Sequence, residues 1–443
     1  MSLHNNRHGI VTRLSDGKGE AKIGAVILLR TFLRPGYEQF YGQTFDLAVA
    51  NLRFQRTTTH PLADPVPEEE REDEDLQSYE DLEDEDLEVY GEPNAPLPLT
   101  TLSHALIVIF KEAFPRARDS LKKQEGTFRP AFLDASRIQL DNAYLAEADL
   151  SQAWMPQVFL RKANLSNANL SGMNLSRASL MWANLSYANL SHANLSGTQL
   201  YQANLSHADL SRANLSDALL NNTDLSHATL SYANLTEASL RDADLSGAKL
   251  DNAKLSKIQF GSSNFSDADL SNANLSGAEF SEVSFVGANL SNADLSNIKV
   301  FVPTQQHSRR TLKTYFDEAN LSGANLSGAI LHQTDFSDTN LSGANLSGVT
   351  FTQTNLEEAR SLEDTNLCGV KGLTKEQLKA YQAKGAIIDE DLTASSPQST
   401  TSSSASPQSN DTQTPSTSPA QERTPPPDPD GSNTTSSKPA PEA

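Results

Sequence analysis

Serine, histidine, aspartate and asparagine recur throughout the middle of this 443-residue chain, and such side chains build catalytic triads and metal sites. Their density weakens the signal, because a triad can be drawn between many of these residues and none stands out. The chain has no glycine-rich phosphate loop, no HExxH zinc motif and no distinctive pair of carboxylates. Its nine histidines do not cluster at the spacing of metal ligands. The sequence therefore predicts a protein that is not an enzyme, with no catalytic, cofactor-binding or metal-binding residues.

A different kind of site emerges when the chain is read at intervals of twenty residues. Two rows of rings and cations then appear: Tyr187, His207 and His227, and beside them His192, Arg212 and Tyr232. Most equivalent positions carry Ser, Asn, Gly or Asp, whereas Tyr, His and Arg are favoured at protein–protein contacts. The two rows predict a protein-binding patch, with ordinary surface variation as the alternative. A metal between His207 and His227 would lack an evident third ligand.

The elements that position these rows follow from a period of five. From Leu140 to Val300 an apolar residue occupies every fifth position, and leucine fills 27 of these 33 central positions. Alanine fills 24 of the positions two residues earlier. A step of five scatters side chains about 140° apart on a helix and alternates them between the two faces of a strand. The pattern therefore predicts a backbone that turns a corner every five residues, with these two apolar residues pointing inward.

The period is interrupted once. Residues 301–311 fall outside it, and the repeat resumes at Phe316 and continues to Leu356, which gives 42 pentads in all. We expect 301–311 to form a protruding loop that carries Arg309 and Arg310. This loop is interpreted either as a tolerated surface insertion or as an arginine-bearing contact for a partner.

The pentads ANLSN, ADLSR, ANLSG and AKLDN resemble the A(D/N)LXX consensus of the pentapeptide-repeat family, over roughly residues 136–367. This family is especially abundant in cyanobacteria. The resemblance implies an all-β solenoid, a right-handed quadrilateral β-helix with four pentads in each coil and about ten coils. Residue k then stacks on residue k + 20. Three pairs of phenylalanines are expected to stack in this way: Phe260 with Phe280, Phe265 with Phe285, and Phe316 with Phe336.

Composition predicts two segments before the repeat domain, which spans residues 136–373. Residues 1–63 are expected to form a small N-terminal module, with strand-like runs at AKIGAVILLRTFL and FDLAVANLRF. Residues 93–135 are expected to form a helical N-terminal cap whose helix breaks at Pro115. Three rings at normally outward positions of the first coil are expected to be buried under this helix: Tyr144, Trp154 and Phe159.

A C-terminal cap helix is predicted over residues 374–389. In the run GLTKEQLKAYQAKGAII, Thr374 and Gln377 match a capping box, which satisfies backbone donors at the start of a helix. Gly385 suits the end of the helix, because glycine readily adopts the left-handed conformation found there. The phrase also resembles the GLTxEQL ending that is common in the pentapeptide-repeat family.

Two further segments lack the apolar residues needed for a core and are predicted to be disordered: 64–92 and 390–443. The first carries a net charge of −15, and the second is rich in Ser, Thr and Pro. The acidic segment is interpreted as a solvated linker. The alternative is an acidic peptide that docks on a basic partner through five apolar side chains: Leu76, Tyr79, Leu82, Leu87 and Tyr90.

The net charge of the chain and the distribution of its charged residues narrow the range of possible functions further. The chain has a net charge of −21 and does not cluster the Lys and Arg that phosphate contacts require, so direct nucleic-acid binding is not expected. The apolar runs are too short to span a bilayer, and Cys368 is the sole cysteine, which excludes an intrachain disulfide. We predict a cytoplasmic protein–protein interaction scaffold with no cofactor, compatible with peripheral association with a thylakoid or membrane complex.

The resemblance supplies a second hypothesis. Some pentapeptide-repeat proteins resemble duplex DNA in shape and acidity and bind topoisomerases. By that analogy this chain would be an acidic, DNA-mimic-like regulator of a DNA-binding enzyme such as a topoisomerase. The repeat carries a charge of only −8 over residues 136–374, which is weak for such a mimic. A purely structural role is the third hypothesis.

Overall fold

The computed structural model describes five stretches of the chain: residues 12–14, 19–54, 99–123, 133–301 and 313–389. The acidic segment 64–92, the tail 390–443, and Arg309 and Arg310 of the predicted loop lie outside the described residues. Within the described residues, an N-terminal group of helices precedes a long β-helical solenoid, and a short helix follows the solenoid.

The N-terminal part is helical. Helix α1 spans Gly19–Leu29 and continues as a 3₁₀ turn over Arg30–Leu33. A second 3₁₀ turn, Glu38–Phe40, leads into helix α2, Tyr41–Phe54, and helix α3 spans Thr101–Lys123. Both α1 and α2 pack against α3.

The strands predicted for AKIGAVILLRTFL and FDLAVANLRF are wrong, because both runs form helices. In α2 the buried residues Phe45, Ala48, Val49 and Leu52 recur at the three- and four-residue spacing of one helix face. Packing of that face against α3 outweighs the strand preference of aromatic and β-branched side chains, which is a weak and context-dependent term. An apolar run of this length does not distinguish helix from strand until its neighbour is known.

The break predicted at Pro115 is also wrong, since α3 continues through the proline to Lys123. An interior proline removes one backbone hydrogen bond and costs about 3 kcal/mol or more. Buried side chains on both sides of it, Phe110, Phe114 and Ala117, hold the helix in place and offset that cost. In addition, the Arg116 side chain donates a hydrogen bond to the carbonyl oxygen of Glu112.

From residue 133 onward the backbone forms the predicted solenoid. Parallel β-bridges pair residues twenty apart, such as Asn164 with Asn184 and Asn184 with Asn204. Five of these pairings extend into short strands, seven in all: β1 Gln259–Gly261, β2 Glu279–Ser281, β3 Lys299–Val300, β4 Thr314–Tyr315, β5 Ile330–His332, β6 Thr334–Asp335 and β7 Thr350–Thr352. They form a five-stranded parallel sheet, β1-β2-β3-β5-β7, and a two-stranded sheet, β4-β6.

The core is the predicted ladder of leucines and alanines. Four leucines of one column are each at most 1% exposed: Leu165, Leu185, Leu205 and Leu225. Phe265 stacks on Phe285 with ring centroids 5.1 Å apart, and Phe316 stacks on Phe336 at 5.3 Å. The rings of Phe260 and Phe280 lie at 5.3 Å in a tilted arrangement. The spacing of twenty is confirmed as one coil.

Each corner is made by the residue two positions after the central leucine, which adopts a left-handed backbone. Tyr187 and His207, for example, have φ of 59° and 60°. The amide of Tyr187 donates to the carbonyl of Ser206 on the next coil at 3.0 Å. Asn and Asp before the central leucine also shape the turn, since Asn204 Oδ1 accepts from the amide of Ser206 at 2.9 Å. The corner conformation is therefore fixed by bonds that do not depend on the corner side chain.

The insertion leaves the coil in register. Ser284 pairs with Tyr315, which is one coil of twenty plus eleven residues, and the Phe285 and Phe316 rings stack at 4.9 Å. The described coils on both sides of residues 302–312 therefore keep the same neighbours, and Phe301 still donates its amide to the carbonyl of Phe280 at 2.9 Å. A second slip of one residue appears where Asn340 pairs with Ser361.

Deletion of residues 301–311 is expected to leave the protein folded, with a thermal midpoint equal to or above that of the parent. Removal joins Val300 to residue 312 and makes the spacing regular, and it also removes the entropic cost of closing the predicted loop. Circular dichroism during heating measures the midpoint. A clear fall in the midpoint would mean that the insertion contributes to the coil.

Helix α3 covers the first end of the solenoid. Arg118 on α3 donates to both carboxylate oxygens of Asp149 at 2.9 and 2.7 Å. These hydrogen bonds lower the pKa of Asp149 to about 2.

The prediction that α3 buries the outward rings is wrong: Tyr144 is 68% exposed and Trp154 39% exposed, and Phe159 is half-buried. The buried apolar residues of α3 instead belong to the same hydrophobic core as the inward residues of the coils. Tyr144 contacts α3 from outside this core, since Lys111 Nζ lies 5.5 Å from the centroid of its ring.

Helix α4, Lys375–Ala383, covers the other end. The predicted capping box is confirmed, since the Thr374 hydroxyl accepts from the amide of Gln377 and the Gln377 side chain accepts from the amide of Thr374. Gly385 follows the helix with φ of 97°. Tyr381 is buried against the last coil, and its hydroxyl accepts from the amide of Leu356 at 3.0 Å. This burial raises the pKa of Tyr381.

Candidate functional site

Four outer faces of the solenoid can be distinguished by the inward leucines of one coil. We name them face 1 at Leu185, face 2 at Leu190, face 3 at Leu195 and face 4 at Leu200. In each pentad one residue of the strand points outward between two inward ones, and the corner residue forms the edge between two faces. The predicted patch lies at the two edges of face 2.

The first edge of face 2 is a stack of three rings. The Tyr187 and His207 rings lie 4.7 Å apart with 9° between their planes, and the His207 and His227 rings lie 5.1 Å apart at 14°. The stack ends where the His227 ring lies against Gly247, since a Cβ at that glycine would meet His227 Nδ1 at 2.5 Å. The sequence prediction that these side chains form one column is confirmed in the structure.

The second edge of face 2 carries His192, Arg212 and Tyr232. The Arg212 guanidinium lies 5.2 Å from the centroid of the Tyr232 ring, in a cation–π contact. All six side chains of the two edges are exposed. The strip between the edges is polar, with Asn189, Asp209 and Thr229 pointing outward. Face 2 therefore presents a polar floor between two rows of rings and cations.

The side chains of face 2 are not arranged to hold a metal ion. Two imidazoles that lie parallel at 5.1 Å do not converge on one ion. Within the five described stretches, no three side chains among His, Cys, Asp and Glu come together in a way that would hold a metal. What the arrangement offers is a set of fixed rings and one guanidinium, which are side chains favoured at protein contacts.

Sequence reasoning missed a second group, on face 4. Large apolar side chains occupy its outward positions, where most other faces carry Ser, Asn or Asp: Phe159, Met181, Trp182, Tyr201 and Leu219. We call these five residues the face 4 cluster. The signal for it in the sequence is the run of large apolar residues at outward positions of one face, with Trp182 at a corner and the other four between corners.

The fold and its corner-displayed side chains define a β-helical solenoid whose coils are built from pentapeptides. A family model described as pentapeptide repeats matches in eight copies, over residues 143–180, 178–217, 218–256, 263–299, 319–357 and 334–371. The chain belongs to the pentapeptide-repeat family.

Solved structures of other pentapeptide-repeat proteins are similar to this chain. HetL, from the cyanobacterium Nostoc and involved in heterocyst differentiation regulation, is 29% identical; the match covers 54% of this chain and 92% of HetL, with a TM-score of 0.36. Another pentapeptide repeat protein from Nostoc is 42% identical over 19% of this chain and 69% of its own, with a TM-score of 0.18. QnrB1, a plasmid-mediated fluoroquinolone resistance protein, is 19% identical over 42% of this chain and 90% of its own, with a TM-score of 0.28.

Neither a curated relative nor, within the described residues, a membrane-spanning helix is found. A search of curated protein sequences finds no match to this chain. Among the helices of the described stretches, none has the length and apolar character needed to cross a bilayer.

Proposed function

We propose that this protein is a non-enzymatic scaffold that binds a protein partner on face 2 of its solenoid. The observation that carries the proposal is the pair of columns at the edges of face 2, which present six exposed Tyr, His and Arg side chains, five of them in ring-stacking or cation–π contact. Side chains that are already ordered lose little conformational entropy when a partner binds. A rigid aromatic edge is therefore an efficient contact surface.

The triple change Tyr187→Ser, His207→Ser, Tyr232→Ser is expected to abolish partner capture while the thermal midpoint stays within a few degrees of the parent. Folding should survive because all three side chains point outward. Capture is measured by cross-linking and affinity purification of the tagged full-length chain. The control is Asp217→Ser, Lys257→Ser, Gln353→Ser, three exposed corner residues with the same left-handed φ that lie off face 2.

Two results would count against the proposal. Equal capture by the parent and the face 2 triple variant would mean that the columns are not a contact surface. Inhibition of DNA supercoiling by the purified chain, acting on a topoisomerase, would favour the DNA-mimic hypothesis. If that inhibition survives the triple change, face 2 has no part in it.

A further inference from the structure

The face 4 cluster has apolar side chains at positions that normally face solvent. Phe159 and Leu219 lie at outward strand positions, Met181 and Tyr201 follow inward leucines, and Trp182 is a corner residue. All five side chains are half-buried rather than exposed. Groups of apolar side chains on an outer surface commonly mark sites of interaction.

The cluster is held in a definite arrangement around Trp182. Its indole Nε1 donates to Gln202 Oε1 at 2.6 Å, and its ring meets the Tyr201 ring edge-on with centroids 6.2 Å apart. Lys162 lies on the other side, with Nζ 4.9 Å from the indole centroid. The ring is therefore fixed between a cation and an amide.

Two cations and one carboxylate stand at the corners beside the cluster, in a chain whose net charge is −21; the carboxylate is Asp217, next to Leu219. Lys162 and Arg177 stand at the two corners that border face 4 there, and both are exposed. Arg161 is a third cation, but its guanidinium is 2.6 Å from the buried carboxylate of Asp141 and is neutralised by it. Two cations thus flank a strip of apolar side chains, which is the complement of an acidic peptide with apolar residues.

We propose that the acidic segment of this same chain, residues 64–92, binds the face 4 cluster. The segment has a net charge of −15 and intersperses five Leu and Tyr residues among its carboxylates. The apolar side chains would pack on the cluster, and the carboxylates would pair with Lys162 and Arg177. Opposite charges at the rim give such contacts their selectivity and speed of association.

The connections of the segment allow this contact. It lies between α2, which ends at Phe54, and α3, which begins at Thr101. Both helices are joined to the first coil: Arg53 Nε on α2 donates to the carbonyl of Ser136 at 2.8 Å, and Arg118 on α3 binds Asp149. The 44 residues from 55 to 98 reach about 70 Å out and back when extended. Trp182 is two coils from the first coil, or about 10 Å.

A photo-crosslinking amino acid at position 199 of the full-length chain tests the contact. Gln199 is an exposed outward residue of face 4 among the cluster residues, and Asn189 is its exposed equivalent on face 2 and serves as the control. After irradiation, mass spectrometry of the monomer band identifies the attached peptides. We expect attachment of residues 64–92 at position 199 to exceed that at position 189 at least tenfold.

Charge reversal gives the second arm. In the chain with the crosslinker at position 199, Lys162→Glu with Arg177→Glu is expected to reduce attachment at least fivefold, with an unchanged circular dichroism spectrum. Equal attachment at positions 199 and 189, or attachment that survives the charge reversal, would overturn the proposal. Attachment found only between two chains in a dimer band would also overturn it, because the occupant would then be a second copy.

Discussion

Leu205→Lys should unfold the solenoid or lower its free energy of unfolding by more than about 4 kcal/mol. Leu205 is fully buried between Leu185 and Leu225 in a column one side chain wide. The change loses the burial of a leucine, about 1.5–3 kcal/mol, and places an unpaired ammonium where no partner and no water can reach it. Urea unfolding followed by circular dichroism measures the loss.

The matched control is Gln199→Lys, which introduces the same side chain at an exposed outward position of a neighbouring strand. Its free energy of unfolding should stay within about 0.5 kcal/mol of the parent, as for most surface changes. Should both lysine variants unfold at the parent's midpoint, the inward column would not be the core.

Asp141→Ala should lower the free energy of unfolding by about 3 kcal/mol. Asp141 is 1% exposed, and it accepts from the backbone amide of Arg161 at 2.8 Å and from the guanidinium at 2.6 Å. The alanine leaves Arg161, whose side chain is only 15% exposed, without this carboxylate. The loss of a buried pair's partner costs more than the pair contributes, because the remaining charge stays desolvated.

An exposed pair of the same geometry provides the comparison. Glu237 and Lys257 are also one coil apart, at 3.3 Å, with side chains 52% and 72% exposed. Glu237→Ala should therefore cost less than about 1 kcal/mol. Equal losses for Asp141→Ala and Glu237→Ala would mean that burial does not decide the strength of these stacked pairs.

The sequence predicted the solenoid well because one period controls every coil. A central leucine at every fifth position is compatible with few backbone conformations. The spacing of twenty then predicts which residues lie next to each other on successive coils, as the stacked rings of Tyr187, His207 and His227 show. The shift of the repeat at the insertion was equally predictable, because it follows from counting the residues between successive central positions.

The helices and the face 4 cluster were harder to predict for a different reason. Helices Gly19–Leu29 and Tyr41–Phe54 both pack against α3. A short apolar sequence does not show which element it will pack against, and so does not distinguish helix from strand. The continuation of α3 through Pro115 likewise depends on burial on both sides of it. The face 4 cluster could have been predicted, because the five-residue period already assigns Met181 and Leu219 to outward positions.

The corners separate what a mutation does to folding from what it does to the surface. The amides of Tyr187 and Gly197 make the same bond to the next coil, at 3.0 and 2.9 Å, although one residue is tyrosine and the other glycine. A codon change at such a corner rewrites the outer surface and leaves the main-chain bonding intact. The outer surface of this solenoid can therefore change in evolution one corner at a time, while the core stays the same.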